Sequence, residues 1–288
     1  MFRLAPILAI LFLGTAASAQ DLPSDQRSAA VGGLRALASA DAAQPWTGVG
    51  RLDTGVSFCS ATLIAERLVL TAAHCLFHPR SGARLAADDL TFQAGLRNGR
   101  PEAVRSVRRS VVPASYAPSS DPDLDNIGQD LALLLLDHPV RGNGIRPIGT
   151  GHATRQGDDV TVVSYGADRE AHASIEEGCV VLERFAAVRL LSCRVVQGSS
   201  GAPVLRMGAD GPELVAVISA TARDRTGRDV SMAASLDGVF ADLMGRLTGN
   251  ASGAETGAAS GATRFGPGAG SALSDGGRSG LGARFIRP

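Results

Sequence analysis

The 288-residue chain contains no lysine: all 28 of its basic side chains are arginine, and 28 acidic groups bring the formal charge to zero. Together with abundant Ala and Gly, the missing lysine reads as a coding bias rather than a functional device. The arginines are spread along the whole chain, so the basic footprint of a nucleic-acid or anionic-membrane binder is missing too. Long apolar runs are also lacking. The longest, Leu4 to Leu13, is too short to span a bilayer, and no later stretch approaches the required length, so no membrane span is expected. Cysteines number only four, none in a C-x-x-C pair, and no H-E-x-x-H is present, which argues against structural zinc and against a zinc protease. No cofactor and no metal are expected. Internal repeats at solenoid or propeller periods are absent.

What is present is enough to build a core: 44% hydrophobic against 19% charged residues. Arg3, the apolar run to Leu13 and the small residues Ala17-Ser18-Ala19 have the layout of a signal peptide over 1-19, which predicts export to a periplasmic or extracellular space. Residues 20-45 are polar, Ala-rich and without sustained periodicity, and read as a leader or N-terminal arm. In an oxidising compartment Cys59, Cys75, Cys179 and Cys193 can pair in three ways, of which chain order favours the short loops Cys59-Cys75 and Cys179-Cys193. From Pro45 to about Leu247, apolar segments recur between Gly, Pro, Asp and Ser: Ala61 to Val69, Ala103 to Val112, Leu131 to Leu136, Val160 to Val163, Val180 to Leu182, Ala202 to Leu205 and Leu214 to Ile218. They predict many strands and few helices. One helix is predicted over Leu236 to Leu247, where Leu236, Val239, Phe240, Leu243 and Leu247 recur at offsets of three and four. Beyond it, 11 of the 41 residues 248-288 are Gly, and this segment reads as a flexible tail. Its last residues, Ala283 to Pro288, are more apolar and basic, as a docking peptide or a processing site would be, although a frayed terminus is the simpler reading.

Three phrases bear chemistry. Val69-Leu70-Thr71-Ala72-Ala73-His74-Cys75 brings an alternating strand into a His with small neighbours, which let an imidazole stand clear in a cleft. Gln129-Asp130 opens the run Leu131 to Leu136, so a carboxylate enters a core and needs a partner. Gln197-Gly198-Ser199-Ser200-Gly201-Ala202-Pro203 sets a serine between glycines that permit a tight turn and a close approach to substrate. In order and spacing, 56 and then 70 residues apart, these phrases resemble the histidine, aspartate and serine regions of trypsin-like serine proteases. Val111 to Tyr116, Ser164-Tyr165-Gly166 and Val217 to Ala220 carry weaker likenesses to the same family, so the resemblance covers most of 46-247.

The resemblance implies an all-β fold of two packed six-stranded antiparallel barrels with a C-terminal helix. It implies a triad of His74, Asp130 and Ser200, an oxyanion hole from the amides of Gly198 and Ser200, and a loop-closing disulfide between Cys59 and Cys75. Ser219 and Ala220 fall on the strand that lines the substrate cleft, with Ser219 near Asp130; Arg194 falls near the base of the primary pocket, where it would favour an acidic side chain or simply face solvent. A monomer acting on protein or peptide substrates is the expectation. Asp121, Asp123 and Asp125 rival Asp130 and alternate as in a calcium loop, but Asn126 replaces the required Gly and no closing Glu follows.

Ser199 departs from the family pattern, which has Asp there to receive the new N-terminus after activation. It thereby weakens the likeness of Ala30-Val31-Gly32-Gly33 to an activation sequence, and it resembles bacterial members such as glutamyl endopeptidases. It also keeps open an alternative: a catalytically silent or latent protein that uses the fold for binding. An α/β-hydrolase is disfavoured, because its nucleophile elbow and its Ser, Asp, His order are both absent.

Overall fold

The apolar segments fold as antiparallel strands in a computed structural model that describes residues 33-142, 144-224 and 226-249, and the backbone of Arg284–Phe285. The segment expected to be a signal peptide, the activation-like residues 30-32 and most of the tail lie outside the described residues. In chain order the elements are β1 (Arg35–Ala36), α1 (Ala40–Ala43), β2 (Val49–Asp53), β3 (Phe58–Ala65), β4 (Leu68–Thr71), β5 (Thr91–Ala94), β6 (Ala103–Val111), α2 (Leu124–Gly128), β7 (Ala132–Leu136), β8 (Asp159–Ser164), β9 (Ser174–Phe185), β10 (Val188–Leu191), β11 (Pro203–Gly208), β12 (Gly211–Arg223), β13 (Asp229–Ser235), α3 (Phe240–Gly249) and β14 (Arg284–Phe285).

Two barrels result. The first closes in the order β2-β3-β4-β7-β6-β5. The second runs β9-β10-β13-β12-β11-β8 and closes through the pairing of β8 with β9; β1 adds to β9 and β14 adds to β12. Closure removes the free edges that an open sheet would expose. The all-β architecture of two six-stranded barrels with a C-terminal helix is thus the one the sequence implied.

Local patterns explain the placement. In β3, Cys59, Ala61 and Leu63 alternate into the first barrel, while Ser60 and Thr62 on the opposite face are also fully buried. The apolar segment Ala61 to Val69 proves to be two strands, β3 and β4, separated by a turn at Glu66 and Arg67. In β7, Ala132, Leu133, Leu134 and Leu136 are all buried, because α3 packs on the outer face of β6 and β7. Arg109 of β6 donates to the carbonyls of Arg246 (2.8 Å) and Leu247 (3.3 Å), so a cation satisfies the last turn of α3 and complements its dipole.

The helix starts at Phe240, four residues later than the periodicity suggests. Leu236 does join the core, but through a turn in which the Ser235 hydroxyl bonds Asp237 and the Gly238 amide reaches the Ser235 carbonyl. Within the segment read as an arm, Leu37 is 1% exposed and its amide donates to the Ala173 carbonyl at 2.9 Å. No helix among the described residues is long and apolar enough to cross a membrane.

Candidate active site

His74 lies on the short 3-10 turn Ala73–Leu76, which leaves β4 at the barrel rim with every residue buried. Its backbone N–H donates to Asp130 Oδ1 (2.8 Å), and its Nδ1 lies 2.7 Å from Asp130 Oδ2. Asp130 is 0% exposed and sits in the bend between α2 and β7, its amide bonded to the Ile127 carbonyl. The Ser219 hydroxyl, on β12 of the second barrel, donates to Asp130 Oδ2 at 2.6 Å. A buried carboxylate is tolerated where donors surround it, and Asp130 has three from two barrels. Tyr116 packs against the same carboxylate: burial pushes its phenol up, and the neighbouring negative charge pushes it further. Of the rival acidic residues, Asp123 instead caps α2 through the Asn126 amide (2.8 Å).

Ser200 is fully buried in the loop before β11. Ser60 of the first barrel holds that loop by hydrogen bonds. Ser60 donates its amide to the Ser200 carbonyl (2.8 Å) and its hydroxyl to the Gly198 carbonyl (2.9 Å), and the hydroxyl accepts from the Tyr165 amide (2.9 Å). Gly201, at φ +78°, approaches so closely that a Cβ there would stand 2.1 Å from Thr71 Oγ1 and 2.2 Å from the Ser60 carbonyl. A side chain is excluded both by strain and by space. The Ser200 loop therefore abuts Thr71 and Ala72, at the foot of the His74 turn.

The conformation of the 197-201 loop is set by hydrogen bonds rather than by a buried charge. The Gln197 carbonyl accepts from the Ala167 amide at 2.9 Å. Because a trans peptide is planar, this directs the Gly198 N–H to the opposite side. Gly198 itself, at φ +91°, has no room for a Cβ beside the Phe58 ring. Ser199 is fully buried; its hydroxyl lies 3.2 Å from Ser164 Oγ and 3.4 Å from the Tyr165 carbonyl, and it also faces the Val196 amide at 3.4 Å. Where the family pattern has a carboxylate, this chain has a small neutral hydrogen-bonding group that needs no cationic partner.

Beside the loop, a cleft of roughly 570 Å³ is lined by Glu176, Arg194, Val195, Val196, Thr221 and Asp229, among others. Arg194 is exposed, and its amide donates to the buried Glu176 carboxylate at 2.9 Å. Burial pushes the Glu176 carboxyl up, with the Arg194 amide and charge opposing. Arg194 thus meets, through its backbone amide, an acid the sequence did not reveal. Strand β9 carries adjacent glutamates at 176 and 177, and a bulge in its pairing with β8 breaks the alternation that would tell which one points inward. Ser60 was equally hidden, its one signal being a hydroxyl in the middle of an apolar strand.

Both disulfides pair neighbours in chain order, Cys59 with Cys75 and Cys179 with Cys193. Among the described residues two groups bring ligating atoms together, Cys59–His74–Cys75 and Glu176–Cys179–Cys193, but in each the sulfurs are joined to one another. One nitrogen or carboxylate ligand apiece is left, too few for the three or four ligands of a metal site.

A family model described as Trypsin matches residues 34–241. Among curated proteins, kallikrein-10 of Homo sapiens is 34% identical over 140 residues, which is 47% of this chain and 48% of kallikrein-10. A modular serine protease of Drosophila melanogaster is 37% identical over 95 residues, 31% of this chain and 15% of that protein. The chain thus spans less than half the length of these relatives. Among solved structures, that of a Glu endopeptidase in complex with MPD superposes with a TM-score of 0.62 over 76% of this chain and 97% of that one; at 18% identity the likeness is one of fold.

Proposed function

We propose that this chain, which belongs to the trypsin family, is an exported serine endopeptidase that cleaves peptide bonds through an acyl-enzyme on Ser200. The observation that carries the reading is the hydrogen-bonded line Ser219–Asp130–His74, drawn from both barrels and ending against the loop of Ser200. A serine hydroxyl is a weak nucleophile at neutral pH and needs an oriented base. Asp130 accepts at Nδ1–H, which leaves Nε2 as the basic nitrogen. In the proposed cycle His74 takes the Ser200 proton as Oγ attacks the carbonyl carbon, then gives it to the departing amine; water repeats the steps to release the acid. The amides of Gly198 and Ser200 are the proposed donors to the oxyanion, each contributing about 3 kcal/mol if serine proteases in general are a guide. The Ala167–Gln197 bond supports this by turning the Gly198 N–H outward.

Protein or peptide substrates follow from the family. Export is supported by the two disulfides and by the signal-like residues 1-19; residues 46-247 are the proposed catalytic unit. The latent alternative rests on Ser199, which removes the usual activation anion. Ser200→Ala is expected to reduce hydrolysis of a peptide substrate by about 10⁴-fold or more with the thermal midpoint unchanged. An unchanged rate overturns the assignment, and a folded wild-type chain that never reacts with a fluorophosphonate selects the latent reading.

A further inference from the structure

Strand β12 is the longest among the described residues, with 13, and it serves two purposes. At Ile218 it is bonded to the nucleophile loop: the Gly201 amide donates to the Ile218 carbonyl (2.8 Å), and the Ile218 amide donates to the Ala202 carbonyl (2.9 Å). At Ser219 it reaches Asp130. One and two residues further on, Ala220 and Thr221 pair with β14, with Ala220 opposite Phe285 and Thr221 opposite Arg284. The pairing is antiparallel, so the C-terminal segment runs from Thr221 toward Ser219 and the site. Thr221 also lines the cleft beside Arg194.

Extended peptides bind proteins by adding a strand to an available edge, with backbone bonds supplying affinity. Any peptide bound alongside Ala220 and Thr221 in this direction presents its following residues to Ser219 and the Ser200 loop. The chain's own C-terminal segment holds that position. From Gly249, the end of α3, to Arg284 there are 34 intervening residues, 250-283, rich in Gly, Ala and Ser. Covalent connection makes this pairing intramolecular, and a linker able to span the two sites holds a ligand at effective concentrations up to the millimolar range. A two-residue pairing too weak to matter between separate molecules therefore competes within one.

We infer that the C-terminal segment bearing Arg284–Phe285 is a tethered, substrate-like competitor for the β12 edge, which long peptide substrates must displace. The inference rests on the proposed peptidase reading and adds to it a built-in restraint on substrate access. It also gives a role to the apolar, basic end of an otherwise Gly-rich tail.

The test uses the full chain and the double variant Arg284→Pro/Phe285→Pro. Only alternate residues of an antiparallel strand turn their N–H toward the partner, so changing both positions removes the donor whichever faces β12. For a peptide substrate long enough to lie along β12, KM is expected to fall about fivefold with kcat unchanged, as when a site four-fifths occupied becomes free. The synthetic peptide Ala-Arg-Phe-Ile-Arg-Pro should then inhibit the variant competitively, but only near the millimolar concentrations that the covalent link supplies in the full chain. Equal KM values in the two proteins, with both labelled by a fluorophosphonate, overturn the inference and leave the peptidase reading standing. If neither is labelled, the peptidase reading falls, and amide exchange alone decides the docking. Protection at whichever of the Ala220 and Thr221 amides faces β14, lost in the variant, upholds it; identical exchange in the two proteins overturns it.

Discussion

The two barrels are closed alike and built differently. In the first, the one buried carboxylate among the described residues is Asp130, with His74 and Tyr116 in the same cluster; the other buried polar groups are the neutral hydroxyls of Thr54, Ser60, Thr62 and Thr71. The second buries Arg189 and Glu176 away from that cluster, along with Thr154, Ser164, Ser174, Ser231 and Ser235. Strand lengths differ as well: none in the first barrel exceeds nine residues, whereas β9 and β12 have 12 and 13. These long strands receive β1 and β14. The contrast suggests a division of labour. A short-stranded barrel whose buried charge is confined to one cluster holds His74 and Asp130, while a barrel with further buried charge and overrunning strands holds the Ser200 loop and offers backbone to extended segments.

The largest expected effect comes from disturbing the buried carboxylate of the first barrel. Asp130→Asn replaces an acceptor of three hydrogen bonds with a group that has one acceptor oxygen and an NH₂ facing another donor. It should lower kcat by about 10⁴-fold through the wrong imidazole tautomer while the fold survives. A loss below tenfold would mean that His74 does not depend on Asp130.

Next comes the polar scaffold of the second barrel. Arg189 is 1% exposed and bonded to Thr154 Oγ1 (3.0 Å), to the Ala186 carbonyl (2.9 Å) and to Asp237. Arg189→Leu leaves these acceptors unmatched. It should cost about 3 kcal/mol, the low end for a broken buried pair because Asp237 still touches water, read as a shift in the urea midpoint with fluorophosphonate reactivity retained. Wild-type stability in this variant would show the polar interior to be dispensable.

The smallest effect concerns Glu176. Burial raises its pKa in the folded state, so the folded protein binds this proton more tightly than the unfolded chain does. That contribution is fully present below the ordinary glutamate range and is lost as pH rises through the raised value. Glu176→Gln removes the dependence. The denaturation midpoint of the variant should gain on that of wild type between about pH 4 and neutrality; parallel curves would place Glu176 in effective contact with solvent.

Legibility followed range. His74, Asp130 and Ser200 each sit in a phrase whose neighbours do local work: small residues before the histidine, an apolar strand after the aspartate, glycines around the serine. The apolar segments announced β6, β7, β8 and β11, because a strand buried on one or both faces must be apolar there. By contrast β2, β5, β10 and β13 are not among those segments; β2 and β5 mix half-buried with buried positions, and β10 carries Arg189 in its middle. Ser60 escaped notice because its partners, Gly198 and Tyr165, lie more than a hundred residues away. The start of α3 was misjudged because Leu236 keeps the helical spacing while belonging to a turn.

By itself the sequence determined the residue types that chemistry requires and the elements that local hydrophobic pattern requires, since both are properties of short windows. Only the tertiary structure decided which groups meet. It set Ser219 and His74 on one carboxylate, seated Ser199 among neutral partners in place of a charge, put Glu176 under Arg194, and laid Arg284–Phe285 along β12. Such contacts join residues from distant parts of the chain. They depend on how two barrels close and abut, and no periodicity along the chain encodes that.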